Sequence, residues 1–127
     1  MPFLPVTAFW IAVAATALFV LSLPIALHRK RARTSLGDGG DSLLQRRIRA
    51  QGNFTEYVPM GLLVIAAVEA GGYAAWIVWS LGGLLAVGRA LHAWGLLGDT
   101  LPPRAVGMVA TFLTLLTGSG LILWRWF

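Results

Sequence analysis

Four apolar stretches, each longer than twenty residues, decide what this chain can fold into. They run near residues 3–27, 43–69, 73–97 and 103–126. As a helix, each is long enough to span ~30 Å of hydrocarbon, for which about 20 residues suffice. Inside a bilayer every backbone N–H and C=O must be paired within the protein, so the spanning element is a helix or a closed barrel. A barrel strand alternates apolar and polar residues over ~10 positions, and no stretch here does so. Only 12% of the 127 residues are charged, against roughly a quarter in soluble domains. The expected fold is an all-α membrane protein, a four-transmembrane-helix bundle forming a single domain over residues 1–127.

The net charge of +5 raises nucleic acid as a partner, but its distribution excludes it. Seven of the ten basic residues (Arg29, Lys30, Arg31, Arg33, Arg46, Arg47 and Arg49) cluster between the first span and the start of the second. That is the positive-inside pattern, which assigns the 28–49 loop to the cytoplasm and both termini to the other side of an integral, multi-pass protein. Such a cluster also attracts anionic headgroups, which accounts for "HRKRAR" without further chemistry. There is no cysteine, hence no disulfide and no protein thiol nucleophile, and no metal site is expected. The N-terminus lacks a basic leader and its apolar run is too long for a cleavable signal, so it is expected to stay as the first span.

Between the spans, "RARTSLGDGGDS" reads as a loop. Gly37, Gly39 and Gly40 permit left-handed turns, and Asp38 and Asp41 suit a turn or a helix N-cap, with the second helix starting near Ser42. "EAGGY" at 69–73 and "GDTLPPR" at 98–104 are the other turns; Asp99 is assigned to the latter, and Pro103 suits a first helical turn. Phe3, Phe9, Trp10, Tyr73, Trp76, Trp79, Trp124, Trp126 and Phe127 gather at the outer ends of their spans as an interfacial belt. Trp94 serves packing or an inner anchor. The glycines of "SLGGLLAVGRA" and "LTGSGL" suit close helix packing.

Against this apolar background one polar row stands out. Arg49, Asn53, Glu56 and Tyr57 fall at i, i+4, i+7 and i+8, within roughly 100° of one helix face. The third span carries Arg89 and His92 at i and i+3, Arg104 opens the fourth, and Arg29 closes the first. The alternating directions of the spans bring all of these to the same leaflet. Arg89 lies about 12 Å from the inner end of its span, where inserting a charge costs at least ~2.5–3.5 kcal/mol. Two readings follow. Glu56 and Arg89 pair, with Asn53 and Tyr57 bonding between helices, and only fix the bundle. Alternatively, four arginines facing one carboxylate hold a small anion from outside, since guanidinium suits bidentate carboxylate binding. His92 is open to two roles, proton shuttle or interhelical hydrogen bond.

The row has a recognisable form, R-x-x-x-N-x-x-E-Y-x-P, filled by Arg49, Asn53, Glu56, Tyr57 and Pro59. It resembles the second-helix signature of the MAPEG family, the membrane-associated proteins of eicosanoid and glutathione metabolism. "LGDGG" and "GRALHAWGL" are similar to the short bacterial members, and the R-x-x-H of Arg89 and His92 to the prostaglandin E synthase branch. The resemblance covers roughly residues 20–110. It implies a homotrimer in a bacterial inner membrane, binding glutathione between subunits as co-substrate. By position, Arg49, Asn53, Glu56, Tyr57, Arg89 and His92 would bind it, with Glu56 meeting its ammonium and Arg104 holding the thiolate as the catalytic residue. Arg29 stands near the family's first-helix arginine, whose own place falls at Leu27. His92, Leu96 and Ala105 differ from family branches at the corresponding places. The implied activity is a glutathione transferase or peroxidase acting on hydrophobic small molecules drawn from the bilayer. The alternative is a non-enzymatic lipid-binding scaffold of the same family. A small multidrug exporter would carry a carboxylate in its first span, and this chain has none there.

Overall fold

The computed structural model describes residues 3–125, and they form the expected all-α bundle. Its helices are α1 (Pro5–Ala32), α2 (Ser42–Ala70), α3 (Ala75–Leu97) and α4 (Leu101–Trp124). Trp126 and Phe127, the last residues of the expected aromatic belt, lie outside the described residues. α1, α3 and α4 are each long and apolar enough to cross a membrane. α2 has the length, 29 residues, but its polar first half lowers its hydropathy. α1 continues past the apolar run through His28–Ala32, because lysine and arginine are good helix formers. It ends at Arg33, whose φ of 53° and N–H to Arg29 O form a left-handed cap.

Both ends of α1 are fastened to α2. At the far end, opposite the basic loop, Leu4 supplies no side-chain cap. The Glu69 carboxylate of α2 does so instead, accepting from Val6 N at 2.9 Å and Thr7 N at 2.7 Å. Pro5 has no N–H and Ala8 N bonds to Leu4 O, so every first-turn donor of α1 is accounted for. At the basic end Asp41 caps α2 through Oδ1, which accepts from Leu43 N and Leu44 N, both at 2.9 Å. Its Oδ2 meets His28 Nε2 of α1, and Arg47 approaches His28 Nδ1 at 3.0 Å. Arg47 can only donate, so Nδ1 accepts and Nε2 carries the hydrogen given to Asp41. Between these clasps α1 is loosely packed: 6% of its most apolar window is buried.

The core gathers in the far half around Val6, Ile65, Val68, Val78, Leu81 and Leu85. Trp10 packs onto it with its indole over Gly82, where any Cβ would overlap the ring. Phe9, Trp10 and Trp79 form an edge-on aromatic cluster there. Trp76 and Trp124 are exposed beside it, in the manner of interfacial anchors, and Trp94 is exposed near the opposite end. α3 and α4 make the closest packing of the bundle. Small residues permit it: a Cβ on Gly88 would lie 2.9 Å from Ala110 Cβ, and one on Gly95 would lie 2.5 Å from Arg104 N. Gly120, also expected at a contact, has nothing near it.

Candidate functional site

Arg89 is the most deeply placed charge, 4% exposed on α3. One terminal nitrogen donates to Asn53 Oδ1 at 2.5 Å. The other donates to Gly107 O at 3.2 Å and approaches Met108 Sδ at 3.4 Å. The Tyr57 ring lies 5.6 Å from its Cζ and packs edge-on against Phe112. A guanidinium so placed is held by neutral acceptors and a π face. Its Nε is buried without a partner.

The pairing of Glu56 with Arg89 is not formed. Glu56 is exposed and makes no ion pair among the described residues. The helical step of about 100° explains the difference. The side of α2 that packs inward carries Ala50, Phe54, Val58 and Gly61. Tyr57 and Asn53 lie about 55° and 95° from the centre of that side, whereas Arg49 and Glu56 lie about 135° and 155° from it. The polar row straddles the edge of the subunit, with two members turned in and two out. His92 is buried beside Gly107 and makes no side-chain hydrogen bond among the described residues, so the expected interhelical bond is absent.

A polar cleft of about 410 Å³ opens at the basic end, between the start of α2 and the α3–α4 turn. Gln45, Arg46 and Arg49 form one wall, and Asp99, Thr100 and Arg104 the other. Arg104 reaches it from the first turn of α4, which stands close to α3 because residue 95 is glycine. The structure therefore joins Arg49 with Arg104. It sets Arg89, Asn53 and Tyr57 together at a second, deeper cluster, and places Glu56 on the lining of neither cleft. Arg29 is half-buried, with its Nε unpartnered, and lines neither cleft. Two lining residues escaped sequence reasoning. Arg46 reads as one more member of the basic cluster and Asp99 as a turn residue, yet they pair across the cleft at 3.1 Å. Their charges alone, 53 residues apart, carry no signal that they meet. A second, apolar cleft of about 290 Å³ runs between α1, α2 and α3 from Trp10 to Ala93, and Arg89 lines it as well.

In comparison with known proteins, a model of the MAPEG family matches residues 7–124. The chain belongs to the MAPEG family. It is 34% identical over 111 residues to "Inner membrane protein YecN" of Escherichia coli strain K12, covering 87% of this chain and 85% of that protein. The same identity and coverage hold for the protein of that name from Escherichia coli O6:H1. This MAPEG chain is thus a multi-pass membrane protein, similar along most of its length to a protein named for the inner membrane.

Proposed function

We propose that this protein is a membrane-embedded glutathione transferase or peroxidase, working on hydrophobic electrophiles or peroxides that arrive from the bilayer. The observation that carries the reading is the basic-end cleft. It sets Arg49 and Arg104 of separate helices, both without an anionic partner among the described residues, around one opening together with Arg46. Its volume of about 410 Å³ falls within the ~300–1,000 Å³ typical of small-molecule sites. Arg49 and Glu56, turned outward on α2, leave the subunit edge polar at membrane depth, which fits a homotrimer that covers this edge. The basic loop then faces the cytoplasm, where glutathione would enter.

Free glutathione thiol resembles cysteine, with a pKa near 8.5, so only about 3% is thiolate at pH 7. Arg104 favours the charged form. A two-unit decrease requires ~2.7 kcal/mol, within the range of one charge-assisted contact in a water-poor cleft. The thiolate sulfur then bonds to the electrophilic carbon as the carbon–leaving-group bond breaks and the leaving group departs with the electron pair. On a hydroperoxide it attacks the terminal oxygen, the O–O bond breaks, and the alcohol leaves after taking up a proton. The glutathione sulfenic acid so formed reacts with a second glutathione to give the disulfide and water.

The test is ultraviolet difference absorption of bound thiolate at neutral pH, read beside the rate of conjugation of an apolar electrophile. Arg104→Ala is expected to bind glutathione nearly as well yet to lose the thiolate band. The rate should fall roughly tenfold for each ~1.4 kcal/mol lost. Arg104→Lys should keep part of both, since the charge remains without the planar fork. A band and a rate unchanged in Arg104→Ala would move the activation to another group. Binding without any turnover would favour the scaffold reading.

A further inference from the structure

We infer that the apolar cleft between α1, α2 and α3 holds one acyl chain of an anionic phospholipid from the basic-end leaflet, whose phosphate meets Arg31. The site is separate from the arginine-lined cleft and does not depend on what that cleft binds.

Small residues line both long walls, Ala14 and Ala17 on α1 and Ala86, Ala90 and Ala93 on α3. Small side chains at such positions ordinarily let two helices close on each other. Here α1 and α3 pack least closely of the contacting helix pairs, because α1 is held off at each end. The Trp10 indole fills the space over Gly82 at one end, and His28, Asp41 and Arg47 clasp α1 to the start of α2 at the other. The gap is therefore a built slot. It extends from Trp10 to Leu21 on α1 and from Gly82 to Ala93 on α3, about 16 Å at ~1.5 Å per residue. A volume of about 290 Å³ spread over that length leaves a channel roughly 4 Å across, the contact spacing of two carbon atoms. A partner helix, ~10–12 Å wide, does not enter it. Water needs two to four polar partners to stay. Trp10 Nε1 and Arg89 Nε are buried in the walls, and the Arg89 terminal nitrogens are taken by α2 and α4. In a bilayer, unbranched hydrocarbon adjoins such a slot and fits it.

The headgroup end follows from helix geometry. At about 100° per residue, Arg31 falls within about 45° of the centre of the α1 side that faces the cleft. That side thus runs from Ala14 and Ala17 through Leu21 to a basic terminus, with Arg31 ~15 Å beyond Leu21. Both ring nitrogens of His28 are engaged, whereas Arg31 is exposed and forms no ion pair among the described residues. Its long stem lies along apolar surface while the guanidinium stays at the interface. A phosphate held there brings its chain to the Leu21–Ala93 end, and the distal part of the chain lies in the slot. An anionic headgroup offers Arg31 a net charge, which a zwitterionic one cancels with its own ammonium.

The full chain would be placed in phosphatidylcholine vesicles doped with a phosphatidylglycerol that carries a photoreactive diazirine near the end of one acyl chain. Tandem mass spectrometry then maps the adducts residue by residue. Wild type should be labelled at Ala14, Ala17, Ala86 and Ala90 in excess of Phe19 and Val87, which are exposed on other sides of the same helices. Ala90→Phe puts a bulky side chain in the slot and should bring the cleft adducts down to the level of Phe19 and Val87. Ala17→Leu should do the same from the opposite wall, and either variant, once shown folded by circular dichroism, decides. The same diazirine on phosphatidylcholine should label the slot about fivefold less, the effect of one basic residue at a membrane surface. Arg31→Gln, at an exposed site outside the slot, should remove that difference. Even labelling of all sides in wild type, cleft adducts that survive both filled variants, or equal yields from the two lipids overturns the proposal.

Discussion

Glu69 is the residue whose replacement should most clearly loosen α1. Among the described residues its carboxylate is the one acceptor for the Val6 and Thr7 N–H groups, and these residues are 8% and 1% exposed. Glu69→Ala leaves both donors without a partner in an apolar setting. Each unsatisfied buried donor costs ~1–3 kcal/mol, so the pair predicts roughly 2–6 kcal/mol. Glu69→Gln retains one acceptor oxygen and loses the charge that favours a helix N-terminus, for a smaller loss of ~1–2 kcal/mol. The effect is local, because α1 is otherwise loosely held. The assay is hydrogen exchange by mass spectrometry in detergent, following a peptide that spans Pro5–Trp10. Exchange in Glu69→Ala should accelerate about a hundredfold, which corresponds to ~2.7 kcal/mol of local opening. Peptides of α3 and α4 should stay protected. A change below about threefold in the α1 peptide would refute the reasoning, since it would mean that the two donors find other acceptors at no cost.

Two further outcomes follow from the packing and from the loop. Gly95→Ala places a Cβ 2.5 Å from Arg104 N, so α3 and α4 must separate; stability in detergent should fall by ~1–3 kcal/mol and glutathione affinity with it, measured by thermal melting and calorimetry. The Asp41 carboxyl is held below the usual carboxylate range, first by the Leu44 N–H and then by His28. A lowered folded value means that the cap contributes fully above the unfolded value of about 3.9 and is lost as pH falls through the folded one. Amide shifts of Leu43 and Leu44 should therefore move below about pH 4 in wild type and stay flat in Asp41→Asn.

The helices were readable because membrane insertion leaves the backbone so few options, and apolar length then marks each span. Asp41 was readable as a cap because its role is local, a side chain bonding two and three residues ahead. Arg49, Asn53, Glu56 and Tyr57 were readable as a row, but not which of them faces Arg89. A stripe of about 100° spans both the packed side and the free edge of α2, and sequence gives the stripe's width without its rotation. The helix α1 outlasts its apolar run, reaching Ala32, for a different reason. Apolar length marks where the bilayer stops, not where a helix of basic residues does. Glu69 was hidden by distance: it serves donors 62 and 63 residues earlier, and only the absence of a capping residue before Pro5 hints that α1 needs an acceptor from elsewhere.

The surroundings of Arg89 bear on how such a protein is made. Among the described residues its hydrogen-bond acceptors are Asn53 Oδ1 on α2 and Gly107 O and Met108 Sδ on α4. The deepest charge is thus accommodated as soon as three helices of one newly synthesised chain have met in the membrane. Until α4 arrives, however, the α3 arginine lacks two of these three acceptors. Arg89 gains these two acceptors only once α3 and α4, joined by a three-residue turn and closed by glycines, have packed as a hairpin. A chain stalled between them during translation would leave that cation half satisfied, which makes the short 98–100 turn a matter of timing as well as of shape.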